Sequence, residues 1–325
     1  MRTAWHCHVV ACLLSLLATE ARTQSRTYPS KPVQIIADSS AGSTPDVALR
    51  FVVDQMSQAW GQQILVVNRP GAGGSVAARA AADAAPDGYT LYQPVLSTFV
   101  ALRPAAPNVP LHVPKDFLPI GFVTENPMFI AVSPTLGISS LSELIAAAKK
   151  RPGEISYATT GIGRLTHLTG ELLQHQTGIK LLLVPYTGGP AHAISDVATG
   201  RVGMIIEGYS GIAGAARSGS VKLIAVATAK RLAEFPDVPT VAETTPGFVS
   251  TGWAVLVAPL GTPESIIRKV SDELRKAVAQ PALGEKLAKL GSYTNPMSPA
   301  EATEFVHRQQ QMWQPVLDQI AKKSK

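Results

Sequence analysis

The sequence predicts an α/β protein of two lobes, each alternating short strands with helices around a parallel sheet. Three observations carry this. The chain has 325 residues, 46% of them hydrophobic and 16% charged, enough for two cores at about 100–200 residues per domain. Short apolar runs alternate with helix-period segments in two successive series, which implies right-handed crossovers and parallel pairing. Gly 26 and Pro 25 give turns without a collagenous or disordered composition. Aromatics at 6% are too few for a base-stacking platform, and the +6 charge clusters no further than Lys149-Lys150-Arg151 and Lys322-Lys323, so no nucleic-acid partner is expected.

The N-terminus reads as a targeting segment. Arg2 precedes an apolar stretch over residues 9–18, about half the ~20 residues of a membrane span, and Thr19-Glu20-Ala21 offers a cleavage site. Residues 1–21 are expected to be a signal peptide and the product to be exported. Cys7 and Cys12 both lie in this segment. The mature chain would then have no cysteine for a disulfide, thiolate catalysis or zinc.

The first series opens with strand 33–37, the loop beginning at Asp38, and a helix at Thr44-Pro45-Asp46. There Thr44 is expected to cap, Pro45 to take the first turn and Asp46 to complement the dipole, with Gly61 as the stop. Strand 64–67, helix 75–85 and strand 89–95 follow. After a connecting region, the second series begins with strand 129–132 and a capping box at Ser140-Leu-Ser-Glu143. Strand 155–158, a helix over 166–177, and strands 180–184, 202–206, 223–227 and 253–258 continue it. Helices open at Thr262-Pro263-Glu264 and at Ser298-Pro-Ala-Glu301.

Two loops are alike: residues 38–44 and 159–166 each join a strand to a helix through glycine and hydroxyl residues. Ligands in open α/β sheets gather at strand carboxyl ends, where helix N-termini favour anions. Facing loops of this kind would form a cleft for a small anion; simple N-capping explains the same composition. Enzyme readings find less. Gly161-Ile-Gly163 is followed by Thr166 where a dinucleotide fingerprint needs glycine, and Gly208-Tyr-Ser210-Gly211 lacks a spacer of a nucleophile elbow. His167 and Glu171 share a helix face and have no His-Glu-x-x-His context; cap-plus-surface roles compete with a metal role. No catalytic residue, metal or cofactor is expected.

Several segments together resemble the Bug family, the periplasmic solute receptors of tripartite tricarboxylate transporters. They are Tyr28-Pro-Ser-Lys-Pro, Asn68-Arg-Pro-Gly-Ala-Gly-Gly74, Ala85-Pro-Asp-Gly-Tyr-Thr90, Lys115-Asp-Phe117 and Tyr157-Ala-Thr-Thr-Gly161 with His167-Leu168. Val184-Pro-Tyr-Thr-Gly-Gly-Pro190, Phe235-Pro-Asp-Val-Pro-Thr-Val-Ala-Glu243 and Pro259-Leu-Gly-Thr-Pro263 complete the set, from Tyr28 to the C-terminus. The resemblance implies a type II periplasmic-binding-protein fold, two doubly wound α/β lobes joined by two crossover strands. It implies lobes of residues 22–125 with 250–325 and of residues 126–249, hinging near 124–128 and 248–253. The partners implied are a small carboxylate (a di- or tricarboxylate, an acidic amino acid or an aromatic acid) and a membrane permease, with the receptor a periplasmic monomer. A sensor subunit for a two-component system, or a hydrolase or lyase on the same fold, are the alternatives.

Carried onto this chain, the ligand contacts implied are Ser40, Ala41, Gly42, Ser43, Thr44 and Asp46 from the first loop. Thr159, Thr160, Gly161, Arg164 and His167 come from the second, with Tyr186 and Gly188 from a third region and Glu207 at a strand end. Departures bear on the ligand. The first loop reads Asp38-Ser39-Ser40-Ala41-Gly42-Ser43 where Pro-Phe-Ala-Ala-Gly-Gly is usual, Arg164 stands at a serine-like position, Val67 replaces a Glu and Gly203 an Asp. Residues 97–103 lack the usual His and Asn-Pro. Three readings of Arg164 stand: a bidentate ligand contact, a solvent-exposed side chain, or an ion pair with Asp38 across the cleft. Asp38 opposes an anion unless Arg164 neutralises it or the ligand brings an ammonium group, which keeps an amphoteric ligand beside a plain dicarboxylate.

Overall fold

The computed structural model describes residues 28–100 and 112–323. The expected signal peptide with Cys7 and Cys12, and residues 101–103, lie outside the described residues.

The first series is β1 (Val33–Ala37), α1 (Thr44–Trp60), β2 (Ile64–Asn68), α2 (Ser75–Ala82), β3 (Thr90–Gln93) and α3 (Leu96–Val100). Then come β4 (Phe117–Val132), α4 (Leu141–Lys150), β5 (Ser156–Thr159), α5 (Leu165–Thr177), β6 (Leu182–Pro185) and α6 (Pro190–Ala198). They are followed by β7 (Met204–Gly208), α7 (Tyr209–Arg217), β8 (Lys222–Val226), α8 (Val241–Thr244) and β9 (Thr251–Pro259). Three helices close the chain: α9 (Glu264–Val278), α10 (Pro281–Ala288) and α11 (Pro299–Lys323).

The strands run β2-β1-β3-β9-β4-β7-β5-β6, and β8 pairs with β4. β1 is parallel to β2 and β3, and β5 is parallel to β6 and β7, as the alternation predicted. The two lobes share one strand. From Phe117 to Pro127, β4 pairs antiparallel with β9; from Met128 onward it pairs with β7 and β8. The sequence reading found only the last four residues of this strand. Pro119, Gly121 and Pro127 interrupt its apolar run, and two register shifts against β9 absorb the irregularity.

In each lobe the strand order reverses about a central strand, β1 in one and β5 in the other. Both reversals place the following loop at a switch point, where crossovers leave in opposite directions and a crevice opens.

One apolar cluster runs through both lobes, and a second lies within the second lobe. Trp253 stacks on Phe99 at 5.7 Å and meets Phe305 edge-on at 5.4 Å, so α11 is pinned to the crossover strands. In the second lobe Phe129, Tyr209 and Phe235 form a triangle with centroids 4.4–5.5 Å apart. Close packing also reaches Gly170 of α5. A Cβ there would lie 2.3 Å from Cε2 of the fully buried Tyr157, whose hydroxyl donates to Glu171 Oε1 at 3.1 Å. Gly170→Ala is therefore expected to destabilise the protein by about 1–2 kcal/mol, the overpacking cost outweighing the ~1 kcal/mol of helix propensity gained. An unchanged or higher urea midpoint would show that the ring yields.

Two local expectations are corrected. Ser43, not Thr44, is the N-cap of α1, and its hydroxyl donates to Ser40 O at 2.6 Å instead of capping. At α4, Ser140 Oγ accepts from Glu143 N, whereas Glu143 reaches back to Ser139 N at 2.6 Å, one residue past the N–H of a reciprocal box. Reciprocal boxes do form at Ser298–Glu301 and Thr240–Glu243.

Candidate ligand site between the lobes

The loop after β1 is held by a buckle built around Asp46. Its carboxylate accepts from Gly42 N at 2.9 Å, Asn68 Nδ2 at 2.8 Å and Arg50 Nε at 3.0 Å, and Asn68 Nδ2 also donates to Ser39 O. Asp46 and the Asn68 of the Asn-Arg-Pro-Gly segment thus fix the loop from behind. The loop after β5 is tied by Thr166, whose Oγ1 accepts from Thr160 N at 3.1 Å. Neither α1 nor α5 is capped by its own N-cap side chain. Simple capping therefore does not account for the hydroxyl residues of these loops.

Between the loops lies a cavity of about 70 Å³, several times the ~10–15 Å³ that one water needs. Ser39, Ser40, Ser43, Thr160, Arg164 and Glu207 form its polar wall. Met128, Leu96, Leu165 and Trp253 form the apolar side. Polar loops opposite a hydrophobic wall suit a small molecule with a charged end and a carbon skeleton.

Arg164 spans the lobes. Its Nη2 donates to Asp38 O and, at 3.0 Å, to Pro70 O, and its Nη1 stands 3.8 Å from Asp38 Oδ1. The side chain is 11% exposed and that of Asp38 0%. The solvent-exposed reading is overturned, and the Asp38 contact is present. With Nη2 occupied by two carbonyls, Nη1 is left without a hydrogen-bond partner on the cavity wall. Burial pushes the Asp38 carboxyl up from its ordinary pKa, against the opposing pull of Arg164, the Thr98 and Tyr92 hydroxyls and Val95 N–H.

Other interlobe contacts are backbone-close. Gly211 N donates to Thr44 Oγ1 at 3.2 Å, and a Cβ on Gly189 would meet Ala41 O at 3.2 Å. Glu207, at the end of β7, is 2% exposed; its Oε1 accepts from Gly208 N at 3.0 Å and its Oε2 has no partner. Burial pushes its pKa up to about 7.

Of the expected contacts, the cavity wall thus gathers Ser40, Ser43, Thr160, Arg164 and Glu207. Thr44 and Asp46 are buried just behind it, and Ala41 and Gly42 are exposed at the turn. Thr159 is buried, with its Oγ1 accepting from Gly161 N at 3.4 Å. His167 accepts from Gly163 N at 3.3 Å and faces Glu171 at 3.9 Å; burial pushes its pKa down. Tyr186 donates to Asp196 at 2.6 Å within its own lobe, and Gly188 is exposed. Sequence reasoning missed Asn126, Met128, Gly252 and Trp253, which reach the cavity from β4 and β9. The polar run Thr124-Glu125-Asn126 inside a largely apolar strand was the signal available.

The profile of the tripartite tricarboxylate transporter family receptor matches residues 48–322. The chain belongs to this family. It is 32% identical over 320 residues to Protein BugT of Bordetella pertussis, covering 98% of each chain. Two solved structures are similar. R. palustris Rpa4515 with adipate has a TM-score of 0.86 at 27% identity, covering 90% of this chain and 98% of that one. MatC from Rhodopseudomonas palustris with bound malate has a TM-score of 0.80 at 29% identity, covering 89% and 100%. The fold is thus the two-lobed type II binding-protein fold, and family members are solute receptors, not enzymes. Among the described residues no helix is long and apolar enough to cross a membrane, and no group of three or more His, Cys, Asp or Glu could hold a metal.

Proposed function

We propose that this family receptor captures a small carboxylate in the interlobe cavity and delivers it, as a periplasmic monomer freed of its signal peptide, to a tripartite tricarboxylate-type permease. The observation that carries the reading is the cavity at the two strand-order reversals, walled by hydroxyls, helix N-termini and Arg164. Relatives solved with adipate and malate support the ligand class. The ligand contacts proposed are those of the cavity wall, with lobes dividing near residues 125/126 and 249/250. In support, β4 exchanges β9 for β7 at Pro127 and Met128, and β9 begins at Thr251. Binding closes the lobes by hinge motion there.

The test is thermal unfolding of protein that has been unfolded and refolded to strip carried-over ligand, against di- and tricarboxylates, aromatic acids and acidic amino acids. A ligand at 100 times its Kd adds about 2.7 kcal/mol, a rise of several degrees for a chain of this size. No rise with any carboxylate would overturn the reading.

A further inference from the structure

Among the described residues, Glu207 is the one acid on the cavity wall, and no cation pairs with it. Its two oxygens differ. Oε1 accepts from Gly208 N; Oε2 is buried and unpartnered. The N–H and hydroxyl of Thr44 in α1 and the hydroxyl of Thr160 in the loop after β5 lie close enough to favour the charged form, yet none makes a hydrogen bond of good geometry to Oε2. Gly211 of α7 closes the remaining side, where a Cβ would come within 2.9 Å of Glu207 Cγ.

Among the described residues, no charged group nearby pairs with Glu207. Arg164 is held by Asp38 and the Pro70 carbonyl, Asp46 by Arg50 and Asn68, and His167 faces Glu171. An ionised carboxylate sealed in without a counter-charge is costly, whereas a neutral acid needs only an acceptor for its proton. One oxygen met by an N–H donor and one with no well-formed hydrogen bond is the pattern of a carboxylic acid whose hydroxyl faces the ligand.

Resting on the carboxylate reading above, we infer that Glu207 recognises the ligand as a protonated acid: in the closed receptor its Oε2–H donates to a carboxylate oxygen of the bound molecule. Glu207 then sets specificity for a ligand that presents a carboxylate at this point, and against one that presents an ammonium group. Closure takes up a proton at Glu207, because sealing the cleft and adding an anion both raise its affinity for one. Affinity must therefore fall as pH rises through the interval between the pKa of the open form and the higher one of the closed form.

The experiment is titration calorimetry of the refolded protein with adipate and with malate between pH 6 and pH 8, in buffers of differing ionisation enthalpy. The expected Kd is about tenfold or more weaker at pH 8 than at pH 6, with net proton uptake on binding. Glu207→Gln keeps a donor at this position at every pH and should bind with a Kd independent of pH and no linked proton. Binding of either acid with a flat pH profile in the wild-type chain would overturn the inference and leave the carboxylate reading intact. Binding that tightens as pH rises would assign Oε2 to a cationic group instead and also overturn it. If neither acid nor any other carboxylate of the panel binds, the carboxylate reading falls and this inference with it.

Discussion

Gly208→Ala is expected to weaken ligand binding roughly 10- to 100-fold while each lobe stays folded. Gly208 sits at φ −66° and ψ 150°, a conformation any residue adopts, so the backbone itself tolerates alanine. The obstacle is the other lobe. A Cβ at 208 would lie 2.4 Å from Thr44 Oγ1, 2.6 Å from its Cβ and 2.8 Å from its Cγ2. Thr44 is fully buried, β-branched and in the first turn of α1, so it has little freedom to turn aside. Opening the cleft removes the clash, and the cost of about 1–3 kcal/mol falls on closure instead of on folding. That range translates to the stated loss of affinity. Small-angle scattering should show the variant remaining extended at ligand concentrations that compact the wild type, with an unliganded urea midpoint close to the parent's. Thr44→Gly in the same chain should restore part of the affinity. Wild-type affinity for Gly208→Ala would mean that the two lobes do not meet at this point in the bound state.

Arg164→Ala is the second large effect, with Kd expected to rise at least 30-fold. The guanidinium makes two charge-assisted bonds to first-lobe carbonyls, those of Asp38 and Pro70, each worth about 1.5–3 kcal/mol. Its loss also leaves the Asp38 carboxyl sealed under the closed lobes without a counter-charge. The pH dependence follows from the direction of that shift. Burial already raises the Asp38 pKa, and Arg164 is the largest influence holding it down. Without Arg164 the closed form favours protonated Asp38 more strongly, so the deficit relative to wild type should shrink as pH falls. Arg164→Lys should be intermediate, since one ammonium does not reproduce the planar fork that serves both carbonyls and Asp38. Titration calorimetry at pH 5.5 and pH 8 reads all three. An unchanged Kd for Arg164→Ala would remove Arg164 from both closure and ligand contact.

The tripartite receptor family was legible because its segments are local. Asn68-Arg-Pro-Gly-Ala-Gly-Gly74 and Val184-Pro-Tyr-Thr-Gly-Gly-Pro190 are turns and helix entries whose chemistry is complete within a few residues. The same locality made β1, α1, β5 and α5 readable: each has its own apolar period, and Gly61 and Gly178 end the two helices in the left-handed conformation. Those elements placed two hydroxyl-rich loops at strand ends, which was enough to locate a cleft.

What the chain alone determined was therefore the α/β alternation, the two series and the candidate loops. Which side chains meet inside was decided only by the tertiary structure. Arg164 and Asp38 are 126 positions apart and touch because both strand-order reversals face one crevice. Tyr186, adjacent to the loops in motif, turns its hydroxyl to Asp196, while Asn126 and Trp253 enter the wall from strands that carry no loop motif. β4 was longer than its apolar pattern because pairing with β9 holds Pro119 and Pro127 in a strand that local preference would break. Periodicity is set by a residue's neighbours in sequence. Burial, counter-charge and the proton on Glu207 are set by which lobe closes over it.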